Sequence, residues 1–154
     1  MSLERASIEP QQQGMSFADF IRTVAAKAGL SVDVRSPDMV ICPFEMGEGR
    51  HQNVFIRPMG TTNAGNHIVS FFSPCLKLAA NQQLGQKAAN DLLKKSAKLA
   101  HGAWCIDTVG GEDYLGVIET GIAQTMQPEE FQAACRSISW VADEMEKQLG
   151  ADAF

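Results

Sequence analysis

The sequence has no apolar run of the ~20 residues that cross a bilayer, and its first thirty residues lack an apolar stretch after a basic start. We therefore expect no transmembrane helix and no secretory signal, and we predict a cytoplasmic protein. Basic residues are not in excess either: 13 Lys and Arg stand against 18 Asp and Glu, a formal net charge of −5 over 154 residues. This balance weighs against a nucleic-acid binder and against a membrane-surface protein, which usually carry excess Lys and Arg.

The four cysteines, Cys42, Cys75, Cys105 and Cys135, lack the spacing of metal ligands. The sequence contains no Cys-x-x-Cys pair and no Cys/His cluster, so we expect no zinc, no other metal and no cofactor. In a reducing cytoplasm, dispersed cysteines behave as small buried hydrophobic residues. We predict four free thiols.

No catalytic signature is present. The three histidines, His51, His67 and His101, fall at two predicted strand starts and at a predicted helix end. A nucleophile such as Ser70 or Cys75 near one of them is conceivable, but neither lies in a nucleophile elbow or a protease motif. We therefore predict that the protein is not an enzyme.

A polar stripe follows the predicted helix over residues 84–101. Its members are Lys87, Asp91, Lys94, Lys95 and Lys98. Such a stripe would attract a phosphate-rich partner, but Asp91 and Lys95 form an ordinary i, i+4 pair, and no aromatic residue is interleaved for base stacking. We interpret the stripe as a solvated helix face and expect no nucleic-acid partner.

The helical segments have clear ends. We predict a flexible N-terminal tail over residues 1–15 and a single α+β domain over residues 16–150. Ser16 has the chemistry of an N-cap for the first helix, and Gly29 that of its terminator. The last helix opens at Pro128 and closes at Gly150.

The strand segments are separated by short glycine-containing turns. Val32 and Val34 alternate with polar residues before an apolar run over residues 39–44, and further strands are predicted over 53–59, 67–72, 104–106 and 114–120. The predicted order is αβββαββα, an α+β domain with an antiparallel sheet.

This order resembles the type III secretion chaperone-like fold, which includes the secretion chaperones and the YbjN-like bacterial proteins. Three passages carry the likeness: residues 28–32, residues 71–74, and residues 125–131 followed by 141–145. It covers residues 16–149. The resemblance to secretion chaperones implies a small acidic homodimer that holds an extended client segment. The YbjN-like group implies a regulator, and the segment Ala142-Asp-Glu-Met145 is more similar to that group.

The predicted three-stranded meander is apolar on both faces. If its turns pair the strands symmetrically, Val40 lies opposite Phe55, and Phe55 lies opposite Phe71. An antiparallel sheet with one face in water would alternate apolar and polar residues, and three helices cover only one face well. We predict a protein-binding surface on one face, formed by Val40, Phe44, Phe55, Val69 and Phe71. The alternatives are that the helices divide between the faces or that the tail folds over.

Two hypotheses for the function follow. The first is a non-enzymatic protein-binding module, a chaperone-like or regulatory adaptor that forms a homodimer and has a possible protein client. The second is a small-ligand-binding sensory domain with a pocket between the sheet and the last helix, near Trp104, Tyr114 and Trp140.

Overall fold

The computed structural model describes residues 15–149, in which three α-helices pack on a six-stranded antiparallel sheet. The elements are α1 (Phe17–Lys27), β1 (Asp33–Ser36), β2 (Met39–Gly47), β3 (Arg50–Thr61), β4 (His67–Leu78), α2 (Gln86–Ser96), β5 (Ala103–Val109), β6 (Glu112–Ile122), a short 3-10 helix (Ala123–Thr125) and α3 (Pro128–Leu149). The predicted α+β fold is confirmed. The predicted tail, apart from Met15, lies outside the described residues, and so does Gly150.

The first helix begins and ends as its sequence predicts. The hydroxyl oxygen of Ser16 accepts a hydrogen bond from the backbone N–H of Asp19 at 3.2 Å. Gly29 follows the helix with a φ of 74°, a conformation that residues with a side chain rarely adopt and that commonly ends a helix. The third helix likewise starts at Pro128, whose missing N–H costs nothing in the first turn.

The second helix is shorter than the predicted segment 84–101, because Ser96 ends it. The Ser96 hydroxyl donates to the carbonyl of Leu92 at 3.0 Å and accepts from the backbone N–H of Trp104 at 2.8 Å. This side chain joins the last helical turn to the start of β5. The chain leaves the helix there and enters the sheet through Gly102.

The strands follow the order β1-β2-β3-β4-β6-β5, and all neighbours are antiparallel. The first predicted strand consists of two strands, β1 and β2, joined at Pro37 and Asp38. The predicted register is wrong by one residue at both hairpins. Val40 pairs with Ile56 and not with Phe55, and Phe55 pairs with Phe72 and not with Phe71. Irregular pairing near each turn, after Glu45 and after Pro58, produces the shift.

One apolar core lies between the sheet and the helices. Its largest strand side chains are Val40, Val54, Ile56, Val69, Phe71, Trp104, Leu115 and Val117. Its helical side chains include Ile21 and Val24 of α1, Leu92 of α2, and Phe131 and Ile138 of α3. Because all three helices join the same cluster, they cover the same side of the sheet. The buried side chains of α3 form an apolar stripe that includes Phe131, Ala134, Cys135 and Ala142, with Ile138 fully buried at its centre.

Candidate functional site

The sheet has two faces that differ in cover. We call the face that carries Val40, Ile56, Phe71 and Val117 the helix-covered face, since these side chains join the core. We call the opposite face the helix-free face. It carries a row of directly paired apolar residues, which in an antiparallel sheet point to the same side. The row consists of Ile41, Phe55, Phe72, Ile118 and Ala103.

Three of the five predicted surface residues lie in the core, so the prediction that the five form one exposed surface is wrong. Val40, Val69 and Phe71 are 0%, 1% and 1% exposed. The ring of Phe71 meets the ring of Phe131 edge-on, with their centroids 5.5 Å apart. They are buried because the helices cover the face on which all three lie. The one-residue register shift separates Phe55 from them, because it places Phe55 on the opposite face.

The other two predicted surface residues lie on opposite sides of the sheet. Phe44 is half-buried on the helix-covered face, where the guanidinium carbon of Arg136 lies 5.7 Å from the centroid of its ring. Phe55 is half-buried on the helix-free face, between Ile41 and Phe72. Phe55 is therefore the predicted surface residue that lies on the face without helices.

Phe72 is buried on the helix-free face even though no described helix covers it. It is 0% exposed, yet it stands apart from the core cluster. Its ring lies against Gly116 of β6, where an added Cβ would come within 2.6 Å of the ring atom Cζ. Glycine is required there because any side chain would displace the ring.

An ion pair crosses the helix-free face. Arg57 of β3 contacts Asp107 of β5, and its Nη1 donates to the carbonyl of Thr108 at 3.2 Å. Two strands, β4 and β6, separate the partners, a gap of ~14 Å in a flat sheet. A guanidinium spans that gap only if the sheet curls, so the helix-free face is concave. No local sequence pattern indicates this pair, because its members are fifty residues apart.

Two buried polar atoms beneath this ion pair have no hydrogen-bond partner among the described residues. They are Nε of Arg57 and Oγ of Ser70, which is 3% exposed. The two residues are directly paired across β3 and β4, so both atoms lie within one small region. Buried polar groups are nearly always satisfied, so these two atoms are exceptions.

The helix-free face also holds the most accessible cysteine. Cys105 is half-buried beside Arg57 and Asp107. Burial and the Asp107 carboxylate, opposed by the Arg57 guanidinium, raise the pKa of its thiol to about 11. At neutral pH this thiol is protonated, which is unsuited to nucleophilic catalysis.

The helix-covered face contains a buried polar network that the sequence analysis missed. Gln52 Nε2 donates to the carboxylate of Glu146, and the hydroxyl of Ser73 donates to Gln52 Oε1 at 3.0 Å. All three residues are fully buried. One sequence feature could have indicated this network, because Glu146 interrupts the apolar stripe of α3 four residues after Ala142. Burial and the Glu146 charge raise the pKa of the adjacent Cys75 thiol to about 12.

A second charged contact holds the end of α3 to β3. The Nε of Arg50 donates to Asp143 Oδ1 at 3.0 Å, and Asp143 is 2% exposed. Together with the Gln52–Glu146 bond, it fixes the helix over the hairpin of β2 and β3. These groups stabilise the packing and leave no open position for a substrate.

The remaining thiols lie in the core. Cys42 of β2 and Cys135 of α3 are both fully buried, and the Cys42 thiol donates to the carbonyl of Ser31 at 3.5 Å. Interaction between the two thiols lowers the pKa of Cys42, while the same interaction and burial raise the pKa of Cys135. Within residues 15–149, no group of three or more Cys, His, Asp and Glu side chains could hold a metal ion.

The structure brings together two of the three aromatic residues predicted to form a ligand pocket. Trp104 and Trp140 line a groove of about 270 Å³ between α2 and α3. Trp104 forms its floor at 8% exposure, whereas Trp140 is 59% exposed. Tyr114 lies on the opposite face of the sheet, where its hydroxyl donates to Glu112 at 3.2 Å, because it alternates with the core residue Leu115.

No known family model matches the chain, and no curated protein is significantly similar to it. The resemblance to type III secretion chaperone-like proteins therefore stays a prediction. Among the described helices, none is both long enough and apolar enough to cross a membrane. The 22-residue α3 has the length, but charged side chains follow its outer face.

Proposed function

We propose that this protein is a non-enzymatic, cytoplasmic polypeptide-binding module that pairs with a second copy of itself through the helix-free face. One observation carries the proposal: an apolar row crosses five strands on a face that no described helix covers. Of this row, Phe72 is buried and Ile41, Phe55 and Ile118 are half-buried. Ile122 of β6 and Met59 of β3, which flank β4, are 36% and 53% exposed. Apolar side chains that are partly open to solvent and lie side by side are typical of an interface.

The size of the face supports a second copy as the partner. Six strands ~4.8 Å apart, which average about nine residues in length, give a face of roughly 700 Å². A standard interface takes about 800 Å² from each partner. Two such faces turned toward each other would enclose their apolar rows between two sheets.

Charge supports the same arrangement. Each copy has a net charge of −5, yet the ion pair between Arg57 and Asp107 leaves the centre of the face neutral. Self-association therefore brings no like charges together at this point.

The resemblance to secretion chaperones supports self-association as well, since those proteins are homodimers that hold a client segment. The likeness of residues 142–145 to the YbjN-like group favours a regulatory adaptor. In both cases the apolar sheet surface is the binding element, and no catalytic residue is required.

Replacing Phe55 by Asp tests the proposal. We expect the parent protein to have the mass of a dimer by light scattering, and the Phe55→Asp variant to have the mass of a folded monomer. The added carboxylate is solvated in the monomer but loses its water in the dimer, which costs roughly 2–5 kcal/mol of association. The control is Leu93→Asp, the same kind of change at a 67% exposed position on α2. It should leave a dimer.

Two results would contradict the proposal. The first is a parent protein that stays monomeric at every concentration measured. The second is a Phe55→Asp variant that is folded by circular dichroism and keeps the parent's mass.

A second candidate function is a small-ligand-binding domain. The groove between α2 and α3 favours it, since an exposed tryptophan borders an apolar floor there. This candidate uses the opposite side of the molecule and does not compete with the sheet face for space.

A further inference from the structure

Trp140 is a large aromatic residue that is exposed on the surface of the helix layer. It lies on α3, its side chain is 59% exposed, and it stands directly beside the groove floor formed by Trp104 and Leu99. An indole exposed beside an apolar recess offers a flat stacking surface, and tryptophan is enriched among residues that dominate binding energy.

The opposite wall of the groove is basic. Lys95 and Lys98 of the α2 end line it, and neither ammonium group has an ion-pair partner among the described residues. The groove also includes the carboxylate of Glu144, but Lys147 holds that carboxylate at 3.0 Å. The two lysines therefore place positive charge on the wall of the groove opposite Trp140.

The volume limits the size of a ligand. At about 270 Å³, the groove lies just under the range of ~300–1,000 Å³ that is typical of small-molecule sites. One aromatic ring with a short chain fits this space. A long acyl chain or a nucleotide does not.

We propose that the groove between α2 and α3 binds a small aromatic carboxylate. The ring stacks on Trp140 over the floor made by Trp104, and the carboxylate lies between Lys95 and Lys98. This inference rests on the second candidate function and is independent of the sheet-face proposal. It also gives a role to part of the lysine stripe, which the sequence alone indicates as a solvated face.

The chain offers a direct readout, because it contains only two tryptophans and both line the groove. A ¹⁵N correlation spectrum of the full chain shows one indole signal for each. We expect 4-phenylbutyrate to shift both signals with saturation. The neutral analogue 4-phenylbutan-1-ol, which has the same ring and chain, should bind at least threefold to fivefold more weakly, the value of an exposed ion pair.

Three variants test the roles of the residues. Trp140→Ala, at an exposed position, should weaken 4-phenylbutyrate binding about tenfold through the lost ring contact. Combined Lys95→Gln and Lys98→Gln changes should remove the preference for the carboxylate over the alcohol. Lys94→Gln is the matched control, because it makes the same charge change on α2 at a residue that does not line the groove, and it should retain the preference.

Some outcomes would overturn the proposal. If neither indole signal shifts, the groove binds no such ligand, and the second candidate function fails with it. If the alcohol binds as well as the carboxylate, or if Lys94→Gln weakens binding as much as the double change does, the groove binds apolar rings without selecting an anion. In that case ligand binding stands and the proposed ligand class is wrong. None of these results alters the dimer measurement.

Discussion

The helix-covered and helix-free faces of the sheet are built from alternate residues of the same strands. Phe71 and Phe72 are neighbours in the chain and equally apolar, yet Phe71 packs under Phe131 of α3 while Phe72 lies over Gly116. The helix-covered face has a continuous core and a buried polar network. The helix-free face has an apolar row and the ion pair between Arg57 and Asp107. Composition does not distinguish the faces; the register and the position of the helices do.

The largest expected effect lies at the centre of the helix-covered face. Ile138 is fully buried in the core, so Ile138→Asp places an unpaired carboxylate there. This costs several kcal/mol, comparable with the whole stability of a small domain, and we expect no soluble folded protein. A folded variant with the parent's melting temperature would show that the α3 stripe is not core.

Truncating phenylalanines on the two faces should separate them clearly. We expect Phe71→Ala to lower the free energy of unfolding by about 3–5 kcal/mol, the usual cost of a large core cavity. Phe55→Ala, at a half-buried residue, should cost about 1 kcal/mol when unfolding is followed at concentrations where the protein is monomeric. Equal losses, measured by urea unfolding, would mean that both faces are covered in the monomer.

Polar contacts should also contribute more to the free energy of unfolding on the helix-covered face than on the helix-free face. Glu146→Ala leaves the buried amide of Gln52 without its acceptor, and we expect a loss of about 1–3 kcal/mol. Asp107→Ala leaves Arg57 with its hydrogen bond to the carbonyl of Thr108, so the loss should be smaller, about 1 kcal/mol. Chemical denaturation of both variants provides the comparison, and a larger loss for Asp107→Ala would reverse it.

The smallest effect concerns thiol reactivity. Cys105, with a pKa of about 11, should react with iodoacetamide before the buried Cys75, whose pKa is about 12. Because only the thiolate reacts, the rate should rise about tenfold per pH unit between pH 7 and 10. Asp107→Asn removes a negative charge that raises this pKa, so the pKa should fall and the rate at pH 8 should rise.

The Cys105 rate also reports on cover of the helix-free face. It should fall as the protein concentration rises, since a facing copy would shield this thiol. Mass spectrometry of the labelled peptides assigns each rate to its cysteine, and Cys105→Ser gives the background. A rate that does not change with concentration would count against a partner on this face.

The sequence predicts the ends of the helices well and the register between the strands badly. Ser16, Gly29 and Pro128 mark helix ends by local chemistry, which acts within a few residues. The register depends on irregular pairing near Gly47 and after Pro58, and a hydrophobic pattern cannot correct it when both faces of a strand are apolar. For this reason the five residues of the predicted surface divide between the two faces, and Phe55 alone of the five lies on the helix-free face.

The long-range polar contacts could not be predicted from the sequence, for a different reason. Arg57 and Asp107 lie on strands that become near neighbours only after the sheet curls, and Gln52 and Glu146 are 94 residues apart in the chain. Neither pair has a local sequence pattern. Lys95, Lys98 and Trp140 were all visible in the sequence, but only the packing of α2 beside α3 unites them in one groove.

The most direct test of the central claim is to look for contacts between copies at the methyl groups of isoleucine. A mixture of methyl-labelled and unlabelled chains yields intermolecular nuclear Overhauser effects only across an interface. We predict such effects at Ile41 and Ile118 of the helix-free face, and none at Ile56 or Ile138, which are buried in the core. Intermolecular effects confined to the helix side, or none at any isoleucine, would contradict the proposal that the helix-free face binds a second copy.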